Sequence, residues 1–98
     1  MSYFLTISQT AKDTLKELKS SKQLQKQYKA VAKALKYLQM NPRHQSLQTH
    51  EYSSLEGPNG EKTFEAYAEQ HTPGAYRIFF YYGPEKGEIV IIAILSHP

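Results

Sequence analysis

The hydrophobic period of this 98-residue chain changes once, at Asn41-Pro42, and that change limits the fold more than any other feature. Before it, apolar residues recur every three or four positions; after it, they alternate. Ile7, Ala11, Leu15 and Leu18 define an amphipathic helix that Ser8 is placed to cap and that breaks at Ser20-Ser21. Leu24, Tyr28, Val31, Leu35 and Leu38 define a second, longer helix. Pro42 stops it, because proline disfavours helical geometry in the residue before it. Two helices joined by so few residues should lie antiparallel. Residues 3–7, β-branched and aromatic, read as a short strand ahead of them.

Beyond Pro42 the alternation predicts strands over residues 48–55, 62–69, 75–82 and 88–95. Gly57-Pro58-Asn59-Gly60, Thr72-Pro73-Gly74 and Gly83-Pro84-Glu85-Lys86-Gly87 supply the reversals, each combining proline with glycine. The expected architecture is therefore a single α+β domain spanning residues 1–98: an N-terminal strand, a helical hairpin, then an antiparallel meander of three or four strands. The run Ile89-Val90-Ile91-Ile92-Ala93-Ile94-Leu95 is apolar on both faces, which argues for a central position in the sheet.

An apolar content of 40% suits one modest core at this length. The absence of cysteine excludes disulfides, thiolate metal sites and a cysteine nucleophile, and cytoplasm is the expected compartment. Residues 1–7 are too short for a signal h-region and lack a charged n-region, and no stretch approaches the roughly 18 apolar residues of a membrane span, so no membrane partner is expected. The net charge of +3 is unevenly spread: residues 12–36 hold eight lysines against Asp13 and Glu17, a local charge of +6. A surface of that kind meets phosphates or an acidic protein, or simply solvates two helices.

Strand alternation sorts the candidate functional residues. Phe64, Ala66, Ile78 and Phe80 fall on one side of the sheet, Glu65, Tyr67, Arg77, Phe79 and Tyr81 on the other. If the helices cover the first side, the second projects an arginine among aromatic rings, a surface suited to stacking unpaired bases and binding phosphate. Ordinary cross-strand packing of the rings, with Arg77 paired to Glu65 or Glu69, is the alternative. His97 alternates with Leu95 at the end of the last strand, where an imidazole could act as general acid or base. His44, His50 and His71 lack metal-ligand spacing, so neither a metal nor a cofactor is expected.

Four segments together resemble the RelE/ParE superfamily of bacterial type II toxins. They are Phe4-Leu5-Thr6-Ile7-Ser8 before a lysine-rich helix, Asn41-Pro42-Arg43-His44-Gln45-Ser46-Leu47 after the second helix, Leu55-Glu56-Gly57 before a glycine turn, and Ala75-Tyr76-Arg77-Ile78-Phe79-Phe80 followed by the apolar strand and His97. The second segment is similar to the YafQ-like branch. The resemblance implies a metal-independent ribonuclease that cuts mRNA, usually on the ribosome, by activating a ribose 2′-OH against the adjacent phosphate, and that is neutralised by an acidic antitoxin. It implies Arg77 as the phosphate-stabilising cation, His97 and His50 as acid/base groups, and Tyr67, Tyr81 and Arg43 as RNA contacts. The chain departs from the family pattern. Ser53 stands where YafQ-like toxins place histidine, no lysine occurs between Lys36 and Lys62, and Glu65-Ala66-Tyr67 lacks the arginine common in relatives. Two other functions stay open on these grounds: a ParE-like toxin that binds DNA gyrase without cutting RNA, and a non-toxic binding domain.

Overall fold

The computed structural model describes residues 2–70 and 74–96. Strand β1 (Phe4–Ile7) leads into helix α1 (Gln9–Ser20), and a 3₁₀ turn at Lys22–Leu24 leads into α2 (Gln25–Met40). A second 3₁₀ turn, Gln45–Leu47, precedes β2 (His50–Glu56), β3 (Lys62–Tyr67), β4 (Tyr76–Tyr82) and β5 (Glu88–Ser96). The expected α+β order holds, with four strands in the meander and the two 3₁₀ turns added. The turn expected at residues 72–74 lies mostly outside the described residues, as does His97.

Ser8 starts α1 as its residue type suggests. Its hydroxyl accepts from Ala11 N at 3.1 Å and donates to the Ile92 carbonyl at 2.6 Å, so one side chain caps the helix and ties it to β5. Asn41 N donates to Tyr37 O at 2.6 Å where α2 stops before Pro42. The Asn41 side chain then accepts from Arg43 N at 3.0 Å, turning the chain toward β2.

The five strands form one sheet in the order β1-β5-β4-β3-β2. β1 runs parallel to β5 and all other pairs are antiparallel. β5 is thus an inner strand, flanked on both sides as its apolar sequence requires. Ala11, Leu18, Val31, Ala34 and Leu38 from the helices pack onto Ala66, Ile78, Phe80, Ile89, Ile91 and Ile94, forming the core.

Two departures from regular alternation shape the other face. In β5 the register slips between Phe79↔Ala93 and Phe80↔Ile91, leaving Ile92 as an extra residue. The strand therefore buries Ile89, Ile91 and then Ile94, and turns Leu95 to the opposite face, where it pairs with Arg77 and is 47% exposed. In β2 the register breaks between Glu51↔Phe64 and Glu56↔Lys62. Tyr52–Leu55 leave the ladder there, Thr63 Oγ1 donates to Tyr52 O at 2.8 Å and also meets Leu55 O, and the Tyr52 ring stands edge-on to Phe79 at 5.0 Å. The second face is therefore partly covered, and not the open aromatic surface that alternation alone implied: Glu65, Phe79 and Tyr81 are all buried.

Candidate functional site

Three neighbouring strands bring His50, Glu65, Tyr67 and Arg77 together on that face. His50 on β2 pairs with Glu65 on β3, and Tyr67, two residues further along β3, pairs with Arg77 on β4. Glu65 thus lies directly across from His50 and diagonally from Arg77, within reach of both side chains. Its carboxylate divides between them. Oε1 lies 2.7 Å from His50 Nε2, and Oε2 accepts from Arg77 Nη1 at 2.5 Å.

Burial sets the electrostatics. Glu65 is 3% exposed and the Arg77 side chain 16%, whereas His50 is 46% exposed and forms the solvent side of the cluster. A carboxylate this deep requires compensation by charge and hydrogen bonds, and the Arg77 guanidinium and the His50 ring lie in place to supply it. The guanidinium also lies over the Phe79 ring, 5.3 Å from its centroid. Its Nε is buried without a hydrogen-bond partner.

The His50 ring faces oxygen on both sides, since Nδ1 is 3.0 Å from the Gln48 carbonyl. As a neutral ring it donates to one of these acceptors; as an imidazolium it donates to both. Gln48 holds this geometry with a left-handed backbone, φ 47°. The Tyr67 ring stands 5.7 Å from the His50 ring. Burial, followed by the Glu65 charge, raises the Tyr67 pKa above that of a free phenol, against a smaller opposing effect of Arg77. The cluster accordingly presents a neutral phenol, an anchored imidazole and a guanidinium with spare donors, a set able to bind an oxyanion and exchange a proton with it.

The other expected contacts lie elsewhere. Arg43 is exposed, stacks over Phe64 at 5.5 Å and bonds the Thr49 carbonyl, and Phe64 points to the helix side, so the sheet separates Arg43 from Arg77. Tyr81 shares the face of Arg77 but is 7% exposed and four residues further along β4, roughly 13 Å away. Burial is also the main cause of its raised pKa. Arg77 pairs with Glu65, the cross-strand alternative that alternation allowed, and Glu65 is the member of the site that sequence reasoning treated only as a counterion. Among the described residues no group of three or more histidine or acidic side chains could hold a metal ion. No helix among them is long and apolar enough to cross a membrane.

No protein-family model matches the sequence, and none of the curated proteins matches it either. Solved structures do match. A chain of the archaeal RelE-RelB complex from Pyrococcus horikoshii OT3 superposes with a TM-score of 0.66 at 16% identity, covering 98% of this chain and 96% of that one. The YoeB dimer from Staphylococcus aureus gives a TM-score of 0.68 at 14% identity, with both chains covered completely. At these identities the likeness is one of fold: the chain has the architecture seen in the RelE-RelB and YoeB structures.

Proposed function

We propose that this protein is the toxin of a type II toxin-antitoxin pair and acts as a metal-independent mRNA endoribonuclease, probing a phosphate of its substrate with Arg77. The observation that carries the reading is the shared buried carboxylate. Glu65 holds an imidazole at 2.7 Å and a guanidinium at 2.5 Å on one sheet face, in a fold shared with RelE and YoeB. Cleavage by the ribose 2′-OH needs a base to take its proton, an acid to protonate the departing 5′-oxygen and a cation for the charge that builds on phosphorus. The solvent-facing part of the Arg77 guanidinium, whose side chain is 16% exposed, supplies the cation's contact, and His50, oriented by Glu65, supplies one proton-transfer group. His97, two residues beyond the Leu95 that pairs with Arg77, supplies the other, while the Tyr67 ring stacks the RNA. The products are a 2′,3′-cyclic phosphate and a 5′-hydroxyl, so bonds and protons balance without a co-reactant.

The partner reading follows from charge. All eight lysines between residues 12 and 36 are exposed, and among the described residues none is in a salt bridge. An acidic, partly disordered antitoxin is the protein that fits them. Expression without an antitoxin should arrest translation in the cytoplasm, and primer extension on host transcripts should reveal cuts that His97→Ala and His50→Ala abolish. Intact transcripts with DNA damage would point instead to a gyrase-binding toxin. Harmless overexpression would leave only a binding domain.

A further inference from the structure

A second concavity lies beside the cluster, between α2, the 3₁₀ turn Gln45–Leu47 and the end of β3. It encloses about 140 Å³ and is lined by Lys33, Tyr37, Ser46, Tyr67 and the apolar floor of Ala34 and Leu47. It exists because small side chains face one another there: Ala30 and Ala34 on α2, one helical turn apart, stand opposite Ala68. We infer that this cleft is a nucleobase subsite, receiving the base of a nucleotide adjoining the one whose phosphate meets Arg77. The inference rests on the ribonuclease reading and names a part of the substrate it would hold.

Four observations support it. The walls are fixed before any ligand arrives: His44 stacks on Tyr37 at 4.1 Å and 7°, Ser46 donates to His44 Nδ1 through its backbone N–H at 3.2 Å and contacts it through its hydroxyl at 2.7 Å, and Gln70 Nε2 clamps the Ser46 carbonyl at 2.7 Å. The volume is well below the roughly 300–1,000 Å³ of sites for larger organic ligands, and suits one flat ring. The lining combines aromatic residues and hydroxyls with an apolar floor, the composition that stacks a base and reads its edge. Finally, Lys33 stands exposed at the rim, its ammonium 5.7 Å from the Tyr37 ring centroid, where it can neutralise the phosphate of the bound nucleotide. Tyr67 joins the two regions, since it lines the cleft, pairs with Arg77 and packs against His50. An acidic peptide would satisfy Lys33 but leave the slot empty, so RNA is the better occupant.

The test is an amide NMR titration of the full chain with AMP, GMP, CMP and UMP, repeated with Ala30→Met, which fills the slot from a helix position, and with Lys33→Gln. Saturating shifts at Lys33, Tyr37, Ser46 and Tyr67 are expected, with affinity reduced about tenfold in each variant, in line with the loss of one stacked base or one phosphate contact. In cleavage assays both variants should still cut RNA but with altered base preference next to the cut. Nucleotide shifts spread evenly over the lysines of α1 and α2, or shifts at the cleft produced by an acidic peptide and not by nucleotides, would overturn the inference. Cleavage with unchanged base preference in both folded variants would overturn it while leaving the ribonuclease reading intact. Nucleotide binding in the cleft without any RNA cleavage would do the reverse.

Discussion

Replacing Glu65 with alanine should strongly destabilise this protein. The carboxylate is 3% exposed and is the partner of a guanidinium that is itself only 16% exposed, so Glu65→Ala leaves a buried cation without its counter-ion. Breaking a buried pair from one side costs about 3–5 kcal/mol, and His50, being half exposed, adds little to that. Against a total stability of about 5–15 kcal/mol this is a large fraction. At about 4–8 °C per kcal/mol for a domain of this size, even the lower figure lowers Tm by roughly 12–24 °C. Urea unfolding followed by circular dichroism and by the fluorescence of the eight tyrosines measures it. Replacing both partners with apolar residues, Glu65→Leu with Arg77→Met, should restore stability to within about 1 kcal/mol of the parent, because neither charge then remains buried. A Glu65→Ala loss below about 1 kcal/mol, or a double variant no better than the single one, would refute the buried-pair reasoning.

Other outcomes follow from particular contacts. Ser8→Ala removes both the cap of α1 and the bond to the Ile92 carbonyl, and should cost about 1–2 kcal/mol by the same unfolding assay. Deleting Ile92 abolishes the bulge but keeps Ile91, Ala93 and Ile94 opposite Phe80, Phe79 and Ile78, so Ile94 stays buried and a loss of only about 0.5–3 kcal/mol is expected, while Ile92→Val should be nearly silent. Tyr67, Tyr81 and Tyr82 have raised pKa values, chiefly through burial, so their phenolate absorbance should develop above the ordinary value of about 10. The folded state holds these protons more tightly than the unfolded one. The resulting stabilisation is complete below the unfolded tyrosine pKa and is lost as pH rises through the folded values, and Tyr81→Phe should reduce that alkaline loss.

Much of the fold is legible in the chain because its local signals agree. Ser8, the Leu-rich helical stripes, Asn41-Pro42 and the Pro-Gly turns at residues 57–60 and 83–87 each mark a boundary within one or two residues of where the structure has it. Alternation correctly divided Ile78 and Phe80 from Arg77 and Phe79. It failed where strands depart from a period of two. The run of five β-branched residues within 89–94 has no residue type that announces Ile92 as the bulge, since every neighbour is equally apolar. In β2 the break is hidden in the same way: Tyr52-Ser53-Ser54-Leu55 reads as a weak strand, and only the Thr63 hydroxyl and the Phe79 ring reveal that it bends across the sheet. That bend converted an expected open surface into a partly buried one, with the Tyr52 ring set against Phe79. Glu65 was visible as a possible partner of Arg77, but its second contact was not, because the distance between His50 and Glu65 in sequence says nothing of their register.

The most direct test of the proposed site is cleavage of a defined mRNA in a cell-free translation system containing the EDTA-treated protein, with ends mapped by primer extension. The account predicts discrete cuts that leave 2′,3′-cyclic phosphates and a His50→Gln variant that remains folded but cuts on the order of 10²–10⁴-fold more slowly, the contribution of a positioned proton-transfer group. Unchanged cutting by folded His50→Gln would remove His50 and its Glu65 support from the chemistry, and the absence of any cutting by the parent protein would contradict the account as a whole.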